Sequence, residues 1–328
     1  MHAIRLHAFG PPENLVYEQV DDPQPAAGQV RIAVGAAGVH LLDTSLRAGQ
    51  GGPPLPLPAL PHIPGREVAG VVDALGPGVA REWLGRRVVA HLGREPVVGG
   101  YAGATVAAAD GLHAVPEALD SERAVAMIGT GRTALAVLEV AQLRADDVVL
   151  VTAAAGGIGT LLLQAARNVD ALVVGVAGGP EKVARVRALG AAVAIDYQQP
   201  DWAEQVREQL GDYALTVAFD GVGGALGRSA MQLLAPGGRL ILYGWSSGTA
   251  TEVTTDDLYA GGLTVSAAVG PAISRRPGGL RGLERDALAA AASGALVPAV
   301  QTFPLAEAAA AHTALERRAT RGKVVLVP

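Results

Sequence analysis

The chain has 328 residues, of which 50% are apolar and 17% charged, with a net charge of −5 and no cysteine. That length supports two domains with their own cores; no continuously apolar, charge-free stretch reaches the roughly 18 to 20 residues of a membrane span, and a mild negative charge without a basic stripe argues against nucleic acid. Lacking cysteine, the chain has no disulfide, no thiol nucleophile and no Cys-ligated zinc. Residues 1–119 are rich in Gly, Pro and short β patterns such as Gln29-Val30-Arg31-Ile32-Ala33-Val34 and Glu67-Val68-Ala69-Gly70-Val71-Val72. Frequent turn signals there predict a β-barrel-like domain. Residues 49–64 are Pro-rich and read as a stiff ordered loop. From Ser121-Glu122-Arg123-Ala124 the pattern turns helical, with Ser121 the expected cap. Strands near 148, 172, 193, 215, 239 and 263 then alternate with helices over 120–269, the signature of a doubly wound α/β domain. Residues 270–328 hold helical patterns at 280–293 and 305–318 and a last strand, Lys323-Val324-Val325-Leu326-Val327. This tail is expected to fold back onto the first domain. The opening, Met1-His2-Ala3-Ile4-Arg5, lacks the apolar core of a signal peptide, so cytosol is the expected compartment.

The sharpest local signal is Val148-Val149-Leu150-Val151-Thr152 followed by Ala153-Ala154-Ala155-Gly156-Gly157-Ile158-Gly159 and an apolar helix expected from Thr160. A buried strand, a tight small-residue turn and a helix N-terminus make a dinucleotide site. The turn lets bare backbone approach a pyrophosphate, and the helix aims free N–H groups at it. Ala154 takes the place of the first glycine of the usual fingerprint; Gly156 and Gly159 keep the other two. On its own such a run can be an ordinary glycine turn. Its position between strand and helix favours a redox nucleotide.

The next strand, Ala171-Leu172-Val173-Val174-Gly175-Val176-Ala177, discriminates between nucleotides. An NAD site places Asp or Glu about 20 residues past the glycines, to bond the ribose hydroxyl. Here Gly178 and Gly179 occupy that place and Lys182 follows. Tyr197 ends a further short strand. No acid repels a 2′-phosphate and a base is added, so NADPH is the expected cofactor. The competing reading makes Lys182 a solvated helix residue and Tyr197 a strand-end aromatic.

Motif order along the whole chain carries a resemblance. Gly38-Val39-His40-Leu41-Leu42-Asp43, Pro64-Gly65-Arg66-Glu67-Val68-Ala69-Gly70, Gly99-Gly100-Tyr101-Ala102, Gly129-Thr130-Gly131-Arg132-Thr133-Ala134, the glycine turn, Phe219-Asp220-Gly221-Val222-Gly223-Gly224, Pro236-Gly237-Gly238-Arg239, Tyr243-Gly244-Trp245-Ser246-Ser247-Gly248 and Gly322-Lys323-Val324-Val325-Leu326 stand in series. The chain resembles the zinc-independent quinone oxidoreductase and enoyl reductase branch of the medium-chain dehydrogenase/reductase superfamily, the zeta-crystallin-like enzymes. The resemblance implies a GroES-like domain built from the N-terminal part and the tail, a central Rossmann domain, and a cofactor in the cleft between them. It also implies homodimers joined through the edge strand at 263–269; a covered edge in a monomer is the alternative.

Departures matter too. Zinc-dependent members carry Gly-His-Glu where this chain has Gly65-Arg66-Glu67, and a Cys near positions 38–40, where it has Gly38-Val39-His40. With no metal expected to ionise an alcohol, the acceptor must already be electrophilic: a quinone, an enone or an enoyl thioester. By motif, Ala155, Gly156, Gly157, Ile158 and Gly159 present backbone to the pyrophosphate. Gly178, Lys182 and Tyr197 surround the adenosine phosphate. Gly221, Val222, Tyr243, Gly244, Ser246 and Ser247, at carboxyl ends of parallel strands, border the riboses. Thr133 and His40 approach the nicotinamide, and Lys323 closes the cleft.

His40 is either the proton donor to a reduced acceptor or a structural residue bonded to backbone. Asp43 either orients His40 or caps the helical turn over 41–47; Arg66 and Glu67 are expected to pair with each other. Quinone reductases commonly have Asn at the position of His40 and Tyr near Gln50. The missing tyrosine leaves a second function open beside an NADPH-dependent reductase: a nucleotide-binding protein of little turnover in a structural or regulatory role.

Overall fold

A computed structural model describes every residue except 52–55, 94–98, 271, 272, 274, 275 and 277. Four of those fall within the Pro-rich segment 49–64, so the stiff ordered loop expected there lies partly outside the described residues. The chain divides into two compact units: Met1–Thr130 with Glu284–Ala292 and Pro298–Pro328, and Gly131–Leu283 with Ser293–Val297.

The first unit opens with β1 (His2–Leu6) antiparallel to β2 (Leu15–Gln19). Then come β3 (Gln29–Val39), α1 (Leu41–Arg47), β4 (Glu67–Leu75), β5 (Arg87–His91), β6 (Ala104–Ala108), β7 (His113–Ala114) and α2 (Ser121–Ala126). β3 is the spine. Val30, Ile32 and Val34 alternate inward along it, as strand geometry requires. It pairs antiparallel with both β4 and β6, and register shifts near Arg31 and Val34 bend the β3–β4 ladder. The α2 helix is capped by Asp120, whose carboxylate accepts from Arg123 N at 2.7 Å. The expected cap Ser121 is instead the first helical residue. A carboxylate accepts the amide bond and also favours the positive helix end, which makes Asp120 the better cap.

A π-helical turn, Met127–Gly131, joins α2 to α3 (Arg132–Ala141). The run Ser121–Ala141 is long and apolar enough to cross a membrane, but most of it is buried inside the fold. The second unit continues with β8 (Val148–Val151), α4 (Gly157–Asn168), β9 (Leu172–Ala177), α5 (Pro180–Ala188), β10 (Val193–Asp196), α6 (Trp202–Leu210), β11 (Val217–Asp220), α7 (Gly224–Gln232), β12 (Arg239–Leu242), α8 (Thr255–Gly261) and β13 (Thr264–Ala267). These strands form one parallel sheet in the order β10-β9-β8-β11-β12-β13. That is the doubly wound dinucleotide order, with its switch point between β8 and β11. All of β8 is buried, so its four apolar residues run without alternation. Val148, Leu150, Val174, Val176 and Ile195 pack with Trp202 and Val206 of α6 in the core on one sheet face.

After α9 (Gly279–Ala292) come β14 (Val300–Pro304), α10 (Ala308–Glu316) and β15 (Lys323–Val327). β15 lies antiparallel on β3, with Val325 opposite Gly38, and β14 lies parallel beyond it. The tail thus completes the first unit's sheet, in the order β14-β15-β3-β4-β5-β7. Leu326 and Val324 join Ile4, Ile32, Val68 and Tyr101 in one core.

The division differs from the sequence boundaries of 119/120 and 269/270. The first unit runs on to Thr130 because α2 packs on β3 and β4. Residues 293–297 stay with the second because Gln164 of α4 brackets Val297, donating to its carbonyl at 2.9 Å and accepting from its N–H at 2.8 Å. Asn168 likewise donates to Ala295 O at 2.8 Å.

Candidate active site

In the second unit the glycine turn folds as a cradle. Ala153 takes positive φ, its carbonyl accepts from Gly156 N at 2.8 Å, and α4 begins at Gly157, three residues before the expected Thr160. The glycines permit that earlier start. A Cβ on Gly159 would overlap Ala153 O, so the helix can rise this close to the turn only with glycine there. The N–H groups of Gly157, Ile158 and Gly159 have no intrahelical acceptor at this end. Gly156, the N-cap, would carry a Cβ only 3.2 Å from Ala153 O, and Ala155 is buried behind the turn.

At the end of β9, Gly178 lies against the Tyr197 ring; a Cβ on it would stand 3.0 Å from the Tyr197 hydroxyl. Lys182 is in the first turn of α5. Asp196 accepts from Gly179 N and Gln198 N, each at 2.9 Å, and so fixes both loop ends. Gly178 and Tyr197 therefore meet at one corner, and Lys182 follows in the first turn of the helix that leaves it.

The loops after β11 and β12 are tied together. Ser246 N donates to Gly221 O at 3.1 Å and Ser247 N to Val222 O at 2.8 Å. Beneath them the buried Asp220 accepts from Val222 N at 2.9 Å, Gly223 N at 3.1 Å and Thr152 Oγ1 at 3.2 Å, and also from Thr251. Thr152 Oγ1 in turn accepts from Gly221 N at 3.1 Å. This network spans the switch point from β8 to β11. Val222 turns its side chain into the core. Half-buried Tyr243 lies on Gly221 with its hydroxyl 3.5 Å from Thr152 O, and burial with the nearby Asp220 charge raises its pKa, keeping the phenol neutral. Tyr243 and Val222 thus shape the loops from beneath; Gly244 is half-buried like Tyr243, while Ser246 and Ser247 are exposed. Thr133 is half-buried in the first turn of α3, in the second unit, whereas His40 belongs to the first.

The first unit holds a polar chain in its core. Asp43, in the first turn of α1, accepts from His40 N at 2.9 Å and from Tyr101 Oη at 3.1 Å. Its capping role is therefore observed, and its carboxylate stands 3.8 Å from His40 Nδ1, too far for a hydrogen bond. Tyr101 Oη lies 3.2 Å from His312 Nε2. Burial lowers His312 to about 4. Glu67, fully buried at the head of β4, stands 2.9 Å from His40 Nε2 and 3.0 Å from Lys323 Nζ. Burial alone would raise its pKa, but the charges of His40 and Lys323 outweigh burial and hold it well below the carboxylate range.

Two expectations are corrected here. Glu67 does not pair with Arg66, because successive strand residues face opposite sides; Arg66 Nε instead lies 3.8 Å from Asp43 Oδ1. Lys323 is buried in its ion pair with Glu67 rather than presented as a free closing cation. Glu67, Thr152, Asp196 and Asp220 are the residues that motif reading undervalued. Their common signal is an acid or hydroxyl at the end of an otherwise apolar strand. Among the described residues, no group of three or more His, Cys, Asp and Glu side chains is arranged to hold a metal.

Comparison with known proteins agrees with this geometry. Residues 26–117 match the alcohol dehydrogenase GroES-like domain and residues 157–283 the zinc-binding dehydrogenase domain. The chain is 36% identical to a 2-haloacrylate reductase of a Burkholderia species, over 99% of this chain and 98% of the relative. It is 33% identical to a quinone oxidoreductase of Pseudomonas aeruginosa, over 99% of each. The Escherichia coli quinone oxidoreductase solved with NADPH superposes with a TM-score of 0.86 at 29% identity, covering 100% of both chains. The chain belongs to the medium-chain dehydrogenase/reductase superfamily, in its zinc-independent quinone and enoyl reductase branch.

Proposed function

We propose that this chain is an NADPH-dependent reductase of quinones or of alkenes activated by a carbonyl group, working without zinc. The observation that carries the reading is the pairing of a bare-backbone helix N-terminus at Gly157–Gly159 with the end of β9, where Gly178 lies against Tyr197, Lys182 follows in the first turn of α5, and the one neighbouring strand-end acid, Asp196, is taken up by the N–H groups of Gly179 and Gln198. The first suits a pyrophosphate and the second a 2′-phosphate. The P. aeruginosa and Burkholderia relatives, named for a quinone and for a haloacrylate, support the two acceptor classes.

When bound, NADPH supplies a hydride, two electrons at once. Backbone at Ala155, Gly156, Gly157, Ile158 and Gly159 holds the diphosphate, and Lys182 and Tyr197 hold the 2′-phosphate. Gly221, Gly244, Ser246 and Ser247 border the riboses, and Thr133 and His40 serve the nicotinamide side. The protein's contribution is to place the acceptor and to stabilise the charge that develops on it. The chain works as a cytosolic homodimer joined through β13, whose residues are exposed or half-buried at the sheet edge. Steady-state NADPH oxidation with a simple quinone, an enone and a 2-haloacrylate tests the reading. Sustained turnover of at least one acceptor is expected. Tight NADPH binding with no turnover of any would instead support a non-catalytic nucleotide binder.

A further inference from the structure

Asp220 closes β11 and is completely buried. Its Oδ1 accepts from Val222 N at 2.9 Å, Gly223 N at 3.1 Å and Thr152 Oγ1 at 3.2 Å, and its Oδ2 accepts from Thr251. Its main-chain carbonyl accepts from Tyr243 N at 2.9 Å. One residue therefore fastens both ends of the β12 loop, at Tyr243 and at Thr251, to the end of β11. It also reaches Thr152, the residue before the glycine turn. These donors to the carboxylate all stand beyond the carboxyl ends of β8, β11 and β12. Taking a carboxylate out of water is costly unless it is hydrogen-bonded, and an apolar side chain would fill the same space at less cost. Asp220 is better explained by the loops it holds.

The glycines that follow are placed for this clasp. Gly227 lies inside α7, where glycine weakens a helix. Its backbone is helical, so no turn demands it. A Cβ there would come 2.1 Å from Thr251 Oγ1 and 2.2 Å from Asp220 Oδ2. Gly223 would carry a Cβ 2.2 Å from Thr249 O. The returning arm of the β12 loop thus lies directly on the segment after β11, and glycines make the room.

Topology identifies the half of a dinucleotide that these loops meet. The strand order reverses between β8 and β11, and a dinucleotide lies across that point with one nucleoside on each side. Gly178, Lys182 and Tyr197 follow β9 and β10, so a 2′-phosphate there puts the adenosine on that side. The nicotinamide nucleoside then falls over β11 and β12. We propose that Asp220 is the positioning residue for the nicotinamide half of the nucleotide site, holding the loops after β11 and β12 in the arrangement that receives this nucleoside. The proposal rests on the NADPH reading and concerns the second unit alone. Asp220, being fully buried, acts only through other groups: the main chain of Gly221–Gly223, and the loop whose Ser246 and Ser247 N–H groups are tied to Gly221 O and Val222 O. Thr251, half-buried, holds the outer end.

Thr251→Val separates this role from general stability, because it cuts one arm of the clasp and leaves the Thr152, Val222 and Gly223 bonds in place. The full chain is titrated with NADPH and with 2′,5′-ADP, which carries the adenosine phosphates and no nicotinamide. In Thr251→Val the NADPH Kd should rise about tenfold, the scale of one hydrogen bond to a charged group, with the 2′,5′-ADP Kd unchanged. Thr251→Ser, which keeps the hydroxyl, should restore NADPH binding. Equal weakening of both ligands, no change in either, or a Thr251→Ser chain as weak as Thr251→Val overturns the assignment. Asp220→Ala should weaken NADPH at least as much, and Thr251→Val added to it should cost nothing further; a further loss also overturns the assignment. If Asp220→Ala does not fold, the two Thr251 variants decide alone. Failure of the NADPH reading is seen separately, as binding of neither ligand by the unmodified chain. A chain that binds NADPH and turns over no acceptor would remove the reductase reading and leave the role of Asp220 standing.

Discussion

Lys182 and the glycine turn carry the most testable residue-level claims. Lys182→Ala should raise the NADPH KM about tenfold, the scale of one charge-assisted bond, and leave the NADH KM nearly unchanged. An equal rise for both cofactors would remove Lys182 from the phosphate corner. Two glycines in one turn should behave differently. Gly159→Ala forces a Cβ onto Ala153 O and should lower the melting temperature, at a cost of about 1–3 kcal/mol. Gly156 has an ordinary extended backbone, φ −80° and ψ 172°. Gly156→Val should therefore cost less stability than Gly159→Ala and abolish NADPH binding; a folded variant that still binds would displace the pyrophosphate from this turn. Motif reading found these positions because strand, turn and helix are local in sequence. It misjudged Glu67 and Lys323, whose partners lie far apart in the chain and meet only when β15 pairs with β3.

At the scale of elements, α10 is held to α1 through the buried relay from His312 by Tyr101 to Asp43, and through an ion pair between Glu316 and Arg47. With Tyr101 donating to Asp43, His312 Nε2–H donates to the phenol oxygen. His312 Nδ1 is buried with no partner, so a proton there would be stranded. The folded pKa of about 4 lies below the 6.5 of a free histidine, so below pH 6.5 the unfolded chain binds the extra proton. Stability contributed by neutral His312 is complete above pH 6.5 and is lost as pH falls toward about 4, by about 3 kcal/mol in all. Denaturant titrations across that range should show this slope, and His312→Gln should remove most of it; an unchanged slope would locate acid sensitivity elsewhere. Element order was legible in the sequence because β8 to β13 are short apolar runs at regular spacing. Element ends were less so. α4 starts three residues early and α2 is capped one residue early, since glycines and acids both favour helix starts and only tertiary contact selects among them.

For the molecule as a whole, the tail's return onto β3 could be inferred from its closing apolar strand. The interleaved division could not, because it depends on Gln164 and Asn168 reaching residues 295–297. The edge strand β13 gives an assembly prediction: sedimentation at micromolar protein should show a dimer, and a monomer at every concentration would remove the β13 interface. The central claim is that a chain of the zinc-independent branch grips a phosphorylated nicotinamide nucleotide by main chain and by Lys182. Fluorescence titration of the purified protein with NADPH and NADH in parallel tests it most directly. Saturable binding of NADPH, tighter than that of NADH, is the predicted result, and no measurable binding of either nucleotide would contradict it.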